Sequence, residues 1–130
     1  MIFEQLNEKL GGSEKPQTWR RARGGGWLHS GAQVENEDRI TDNTIIWGRV
    51  SDNAQVFGEA CISDNACISD NAWISDNAHV FGNARIFGEA RIFGEAWACG
   101  NARVYGEAQA FGNAWITENA RVSGLFKIIS

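Results

Sequence analysis

From residue 54 onward the hydrophobic pattern has one dominant period. Alanine stands at every sixth position from Ala54 to Ala120, and two residues after each comes Val56, Ile62, Ile68, Ile74, Val80, Ile86, Ile92, Ala98, Val104, Ala110, Ile116 or Val122. The unit reads aliphatic, x, Gly/Asp/Glu, Asn/Glu, Ala, x. A period of six does not divide into helical turns of about 3.6 residues, and it excludes five-residue repeats. Within each unit, Ala-x-aliphatic-x alternates with the period of two that a β-strand imposes. The first and third of these residues are predicted to point inward, the second and fourth outward.

The polar pair that follows is predicted to turn a corner. Such corners often hold a residue at positive φ, which Gly, Asn and Asp tolerate best. The pairs follow that demand. Where the second member is Glu (Glu59, Glu89, Glu95, Glu107) the first is Gly, and where the first is Asp or Glu (Asp52, Asp64, Asp70, Asp76, Glu118) the second is Asn. Each corner keeps one permissive residue. Upstream, the phase continues through residues 28–32, 34–38 and 40–44, but IWGR at 46–49 is two residues short of a unit. A tightened corner is expected there.

ISDNAx and VFGNAx are close to the hexapeptide of the left-handed parallel β-helix family, and the chain resembles that family over residues 28–124. It departs in the residue after the aliphatic, usually small or acidic in the family and here often Phe, Tyr or Ser. The resemblance implies an all-β fold in which three hexads close one triangular coil and residues eighteen apart stack. Its left-handed crossover is an exception to the usual right-handed rule. Seventeen units then give five to six coils, a prism roughly 25–28 Å tall at a strand spacing near 4.8 Å. GGWxxSGA followed by NARVxG repeats is also similar to small bacterial and phage-borne β-helix proteins, which implies no catalytic residue and a host-cytoplasmic setting.

The ends of a β-helix need covers. Ile2, Phe3, Leu6 and Leu10 stand at helical spacing, so residues 1–27 read as an amphipathic cap helix and a linker (GGSEKPQ). Residues 28–124 form the repeat body. The apolar tail at 125–130, LFKIIS, is expected to fold across the last coil or to make an end-to-end contact between copies.

Three hexads per coil sort the outward residues into columns. The first face carries Arg49, Cys67, Arg85, Arg103 and Arg121, beside Ser51, Ser69, Phe87, Tyr105 and Ser123. The second carries Cys61, His79, Trp97 and Trp115, and the third Gln55, Trp73, Arg91 and Gln109 beside Phe93 and Phe111. One corner repeats Asn65, Asn83, Asn101 and Asn119, a ladder expected to hydrogen-bond between coils. Like charges in the arginine column repel. Glu89 and Glu107 at a neighbouring corner, or stacking of Arg over Phe and Tyr, are expected to offset that.

Charge narrows the partners. Residues 1–33 hold five bases and three acids, whereas residues 34–124 hold six bases and thirteen acids. An acidic body argues against direct nucleic-acid binding over most of its surface. The acid-bearing N-terminus lacks the pattern of a signal peptide, and no run approaches a membrane span. Three cysteines without paired spacing are no disulfide framework. A cytoplasmic or host-cytoplasmic location is the expectation.

Chemistry is sparse. The family's acyltransferases use a catalytic His, and here only His29 and His79 exist, with no loop interrupting the hexads after Val50. His79 is the runner-up as a general base. Two histidines cannot supply the three zinc ligands of the carbonic-anhydrase branch, and a flat face presents Cys61, His79 and Cys99 poorly to a tetrahedral metal. No metal or cofactor is expected. RRARGGGW lacks the context of a dinucleotide loop and reads as the lead into the first coil, its arginines free to touch a partner. Regular Thr arrays, needed for ice binding, are missing.

The expectation is a non-catalytic interaction module. Its candidate surface is Arg49, Arg85, Arg103, Arg121, Phe87, Tyr105, Phe93, Phe111, Trp97 and Trp115, since clustered exposed aromatics and arginines mark interfaces. The expected partners are further copies, as a dimer or trimer, and a host protein that a phage-borne inhibitor would dock. In a variant, Asp52, Asp70, Asp76, Glu89, Glu95 and Glu107 mimic the phosphates of nucleic acid.

Overall fold

The structure, a computed structural model, describes residues 2–13, 18–124 and 127–129, the last three as backbone alone. GGSEKPQ from residue 14 on, Leu125, Phe126 and Ser130 lie outside the described residues.

The chain winds as a parallel β-solenoid of about five coils with three sheets of seven, six and five strands. Two-residue strands recur once per hexad. His79 is paired with Cys61 below and Trp97 above, Arg85 with Cys67 and Arg103, and Arg91 with Trp73 and Gln109. Each step is eighteen residues, the three-hexad coil the repeat implies. Alternate N–H groups reach the next coil, as Arg85 N–H donates to Ala102 C=O at 2.9 Å and Phe87 N–H to Val104 C=O at 2.9 Å. The alanines and aliphatics fill the interior: Ala60, Ile62, Ala66, Ile68, Ile86 and Ile92 are all 0% exposed.

The expected tightened corner is present. Ile45–Ile46 and Arg49–Val50 are consecutive strands, separated by Trp47 and Gly48 alone. Ile45 therefore pairs with Cys61, sixteen residues on, and Gln33 with Arg49, also sixteen on. Gly48 permits this: a Cβ there would stand 2.7 Å from the Ala66 carbonyl oxygen.

Corner chemistry differs from the sequence reading. The permissive residue does not alternate between the two corner positions; the first always takes positive φ. Asp52, Asp64, Asp70 and Asp76 do so at φ 57–59°, and Glu118 does so at 57° in spite of Asn119 beside it. The next N–H must enter the ladder, as Asn83 N–H does to Gly100 C=O at 2.7 Å, so the reversal is fixed one residue earlier. Asp suits that place because its carboxylate accepts the corner N–H of the coil above: Gly82 N–H donates to Asp64 and Gly88 N–H to Asp70, both at 3.0 Å.

The N-terminal helix forms at Phe3–Lys9, with Ile2 N–H donating to Gln5 Oε1 at 3.0 Å. Seven residues are too few to hold a helix alone. Leu6, fully buried, anchors it against Trp19, Trp27 and Ile45, with Phe3, Leu10 and Cys61 around them. Trp27, Ile45 and Cys61 are stacked outward residues of one face. The helix thus covers the flank of the first coils. The first-coil edge is met instead by Trp19–Arg21, antiparallel to Trp27–His29, with Ala22 in the main core. At the other end Lys127–Ile129 pairs in parallel with Gln109–Phe111, so the tail extends the third sheet as a strand.

Candidate recognition face

The arginine face is built by the strands Arg49–Val50, Cys67–Ile68, Arg85–Ile86, Arg103–Val104 and Arg121–Val122. The aliphatic of each pair is buried, and alternation then forces the arginine out. Arg85, Arg103 and Arg121 stand in register on successive coils. Arg49 belongs to the same column but is separated from them by Cys67.

Beside the arginines runs the asparagine ladder. Asn83 Nδ2 donates to Asn101 Oδ1 at 3.4 Å, and Asn101 Nδ2 to Asn119 Oδ1 at 3.2 Å, as the sequence leads one to expect. Arginines and asparagines wall a groove of about 590 Å³ along the prism from Asn65 to Arg121. On the other side of the arginines, Phe87 and Tyr105 stack with ring centroids 5.0 Å apart and planes 4° from parallel.

The expected compensation of the arginine column is not found within the chain. Among the described residues Arg49, Arg85, Arg103 and Arg121 form no ion pair, with Glu89, Glu107 or any other acid. Nor do they lie over Phe87 or Tyr105, because those rings stack on each other; the cation–π contacts are Arg91 over Trp73 and Arg21 over Trp27. The arginines of RRARGGGW behave in the opposite way. Arg20 forms a two-pronged pair with Glu37 at 2.9 and 2.6 Å, and Arg23 reaches Asp38 at 3.2 Å. That pairing raises Arg20 and holds the Glu37 carboxyl below its ordinary value, chiefly through the side-chain hydrogen bond. Arg20 and Arg23 thus tie the entry segment to the turn at residues 37–38.

The remaining candidates lie on other faces. Trp97 and Trp115 stack at 5.0 Å on the tryptophan face, where Trp115 is 65% exposed. Phe93 and Phe111 stack at 5.0 Å on the third. The structure therefore unites Arg85, Arg103, Arg121, Phe87 and Tyr105, and separates the other aromatics from them.

His79 sits half-buried below Trp97, with ring centroids 5.4 Å apart. Burial pushes its pKa below the ordinary value and the Lys9 ammonium adds to this. Burial pushes the Cys61 and Cys99 thiols up. Among the described residues no group of three His, Cys, Asp or Glu is placed to hold a metal ion, and no helix is long and apolar enough to cross a membrane.

One feature escapes the sequence reading. The shortened corner leaves a notch of about 210 Å³ between Trp47, Arg49, Asp64 and Asn65, which shares Asn65 and Cys67 with the groove. The missing pair of residues at 46–49 was its signal. Comparison with protein-family models, curated proteins and solved structures gave no match.

Proposed function

We propose that this chain is a non-catalytic recognition module of the left-handed hexapeptide-repeat kind, which docks its arginine face on an acidic surface of a macromolecular partner. The supporting observation is the column Arg85, Arg103 and Arg121, in register and without an ion pair among the described residues. Aligned guanidinium groups repel one another. An acidic partner relieves that repulsion, and the asparagine ladder adds hydrogen-bonding groups along the same groove. In a phage-borne setting the partner is a host macromolecule. The nucleic-acid mimic draws less support, because Asp52, Asp70 and Asp76 each turn one carboxylate oxygen to a backbone N–H of the coil above, leaving only the other oxygen to present.

The test is a tagged pull-down from bacterial lysate, with and without nuclease, run beside the double variant Arg85→Glu, Arg103→Glu. The expected result is one stoichiometric protein partner that the variant no longer retains, with circular dichroism unchanged. A partner held equally by the variant refutes the docking face. An acyl-transfer activity that disappears in His79→Ala refutes the non-catalytic reading.

A further inference from the structure

Two successive coils carry the same transverse order of outward groups. One reads Arg85, Ile86, Phe87, Gly88, Glu89 and the next Arg103, Val104, Tyr105, Gly106, Glu107. Ile86 and Val104 are 0% exposed, so arginine, aromatic ring and glutamate are what the surface presents. The arginines and glutamates are exposed and the rings half-buried. Arg85 pairs in register with Arg103, and Glu89 N–H donates to Gly106 C=O at 2.8 Å, so the two rungs superpose at a spacing of about 4.8 Å. Across the prism, this surface is a cation column, an aromatic column and an anion column.

Such an order is complementary to itself. A two-fold axis parallel to the prism axis and passing over the aromatic column carries the arginine column onto the glutamate column. It also leaves every rung at its own height. Arg85 of one copy then meets Glu89 of the other and Arg103 meets Glu107, while Phe87 and Tyr105 meet their own counterparts. This is the pairing an isologous interface requires, residue i on j and j on i. The aromatic centre and charged rim match the usual anatomy of a binding patch.

We propose that this surface pairs two copies of the chain about such a two-fold axis. The inference rests on reading the arginine face as a docking surface, and it names a second copy as the partner. Repeat spacing favours that partner. Same-side groups of an extended peptide recur at about 6.6–6.8 Å, and the phosphates of one DNA strand follow a helical path that rises about 3.4 Å along its axis per charge, whereas a second copy matches the rung spacing by construction. The third face carries this order on one rung alone, Arg91, Phe93 and Glu95: Arg91 stands between Trp73 and Gln109, and its guanidinium lies over Trp73.

The test is the mass of the intact chain by sedimentation over a concentration series. A dimer is expected. Arg85→Glu with Arg103→Glu, and separately Glu89→Arg with Glu107→Arg, are each expected to weaken it at least about tenfold, since each sets like charges face to face. Mixing the two variants one to one is expected to restore the dimer, because an acid–aromatic–acid surface then meets a base–aromatic–base surface. Unmutated, the dimer is expected to weaken as salt rises. A chain that is monomeric throughout overturns the inference, as does a dimer that both variants keep, that folded mixed variants fail to restore, or that salt strengthens. A monomer that still captures an acidic protein through Arg85 and Arg103 overturns the two-fold pairing alone. Loss of both self-association and capture overturns the docking face as well.

Discussion

The two groups of arginines in this chain have opposite fates. Arg20 and Arg23 lie where the chain is irregular, and each finds a carboxylate, Glu37 and Asp38, on the segment crossing beside it. Arg85, Arg103 and Arg121 lie where the chain is regular, and none does among the described residues. Regularity itself is the cause. In this column the eighteen-residue coil sets Arg85, Arg103 and Arg121 one above another, and the glutamates of the first two rungs stand beyond the aromatic column. Irregular winding brings unlike residues together and permits closure within the chain. A perfect repeat leaves its charges for something outside.

The substitution of largest expected effect removes the basis of that regularity. Ile86→Ala empties a fully buried position in the middle of the ladder and is expected to cost about 3 kcal/mol in denaturant unfolding. A loss below about 1 kcal/mol would show that the backbone ladder holds the coils without the aliphatic column. Glu118→Gly sharpens the corner rule. Glu118 holds φ 57° as a residue with a Cβ, so glycine is expected to raise stability by about 1 kcal/mol; an unchanged midpoint would mean the corner carries no strain.

Smaller effects separate the two groups of arginines. Arg20→Ala is expected to cost about 0.5–1 kcal/mol, since the arginine side chain is 63% exposed. The sign with pH follows from Glu37, whose folded value is lowered. Its contribution is full above the ordinary carboxylate value and is lost as pH falls through the lowered one, so the variant should show a flatter acid limb of stability than the native chain. An identical acid limb would remove the pair from the account of the first coil. Last, Arg85→Ala with Arg103→Ala is expected to shift stability by less than about 0.5 kcal/mol while abolishing docking. A large destabilisation would make those arginines structural, like their upstream counterparts.

Much of the architecture was legible beforehand, for a local reason. Period six with alternation fixes which residues face inward, and the shortened piece at 46–49 announced the tight corner, because strand sterics depend on neighbouring residues. Columns follow from dividing the period into coils, so the Asn83–Asn101–Asn119 ladder was foreseeable too. Which corner residue turns left-handed was not, because the choice belongs to the next coil's hydrogen bond. Nor was the place of the helix, decided by the outward-facing Trp27 and Ile45 flank that it buries. The candidate surface was half legible: its arginines were named, but the sequence pooled aromatics from three faces, and whether a charge is paired depends on distances between segments far apart in the chain. The order of residues is enough to set the repeating solenoid and its columns, through local geometry. Which arginines close on their own chain and which face outward emerges only on folding, because pairing is a contact between distant segments and the repeat holds unlike charges in separate columns.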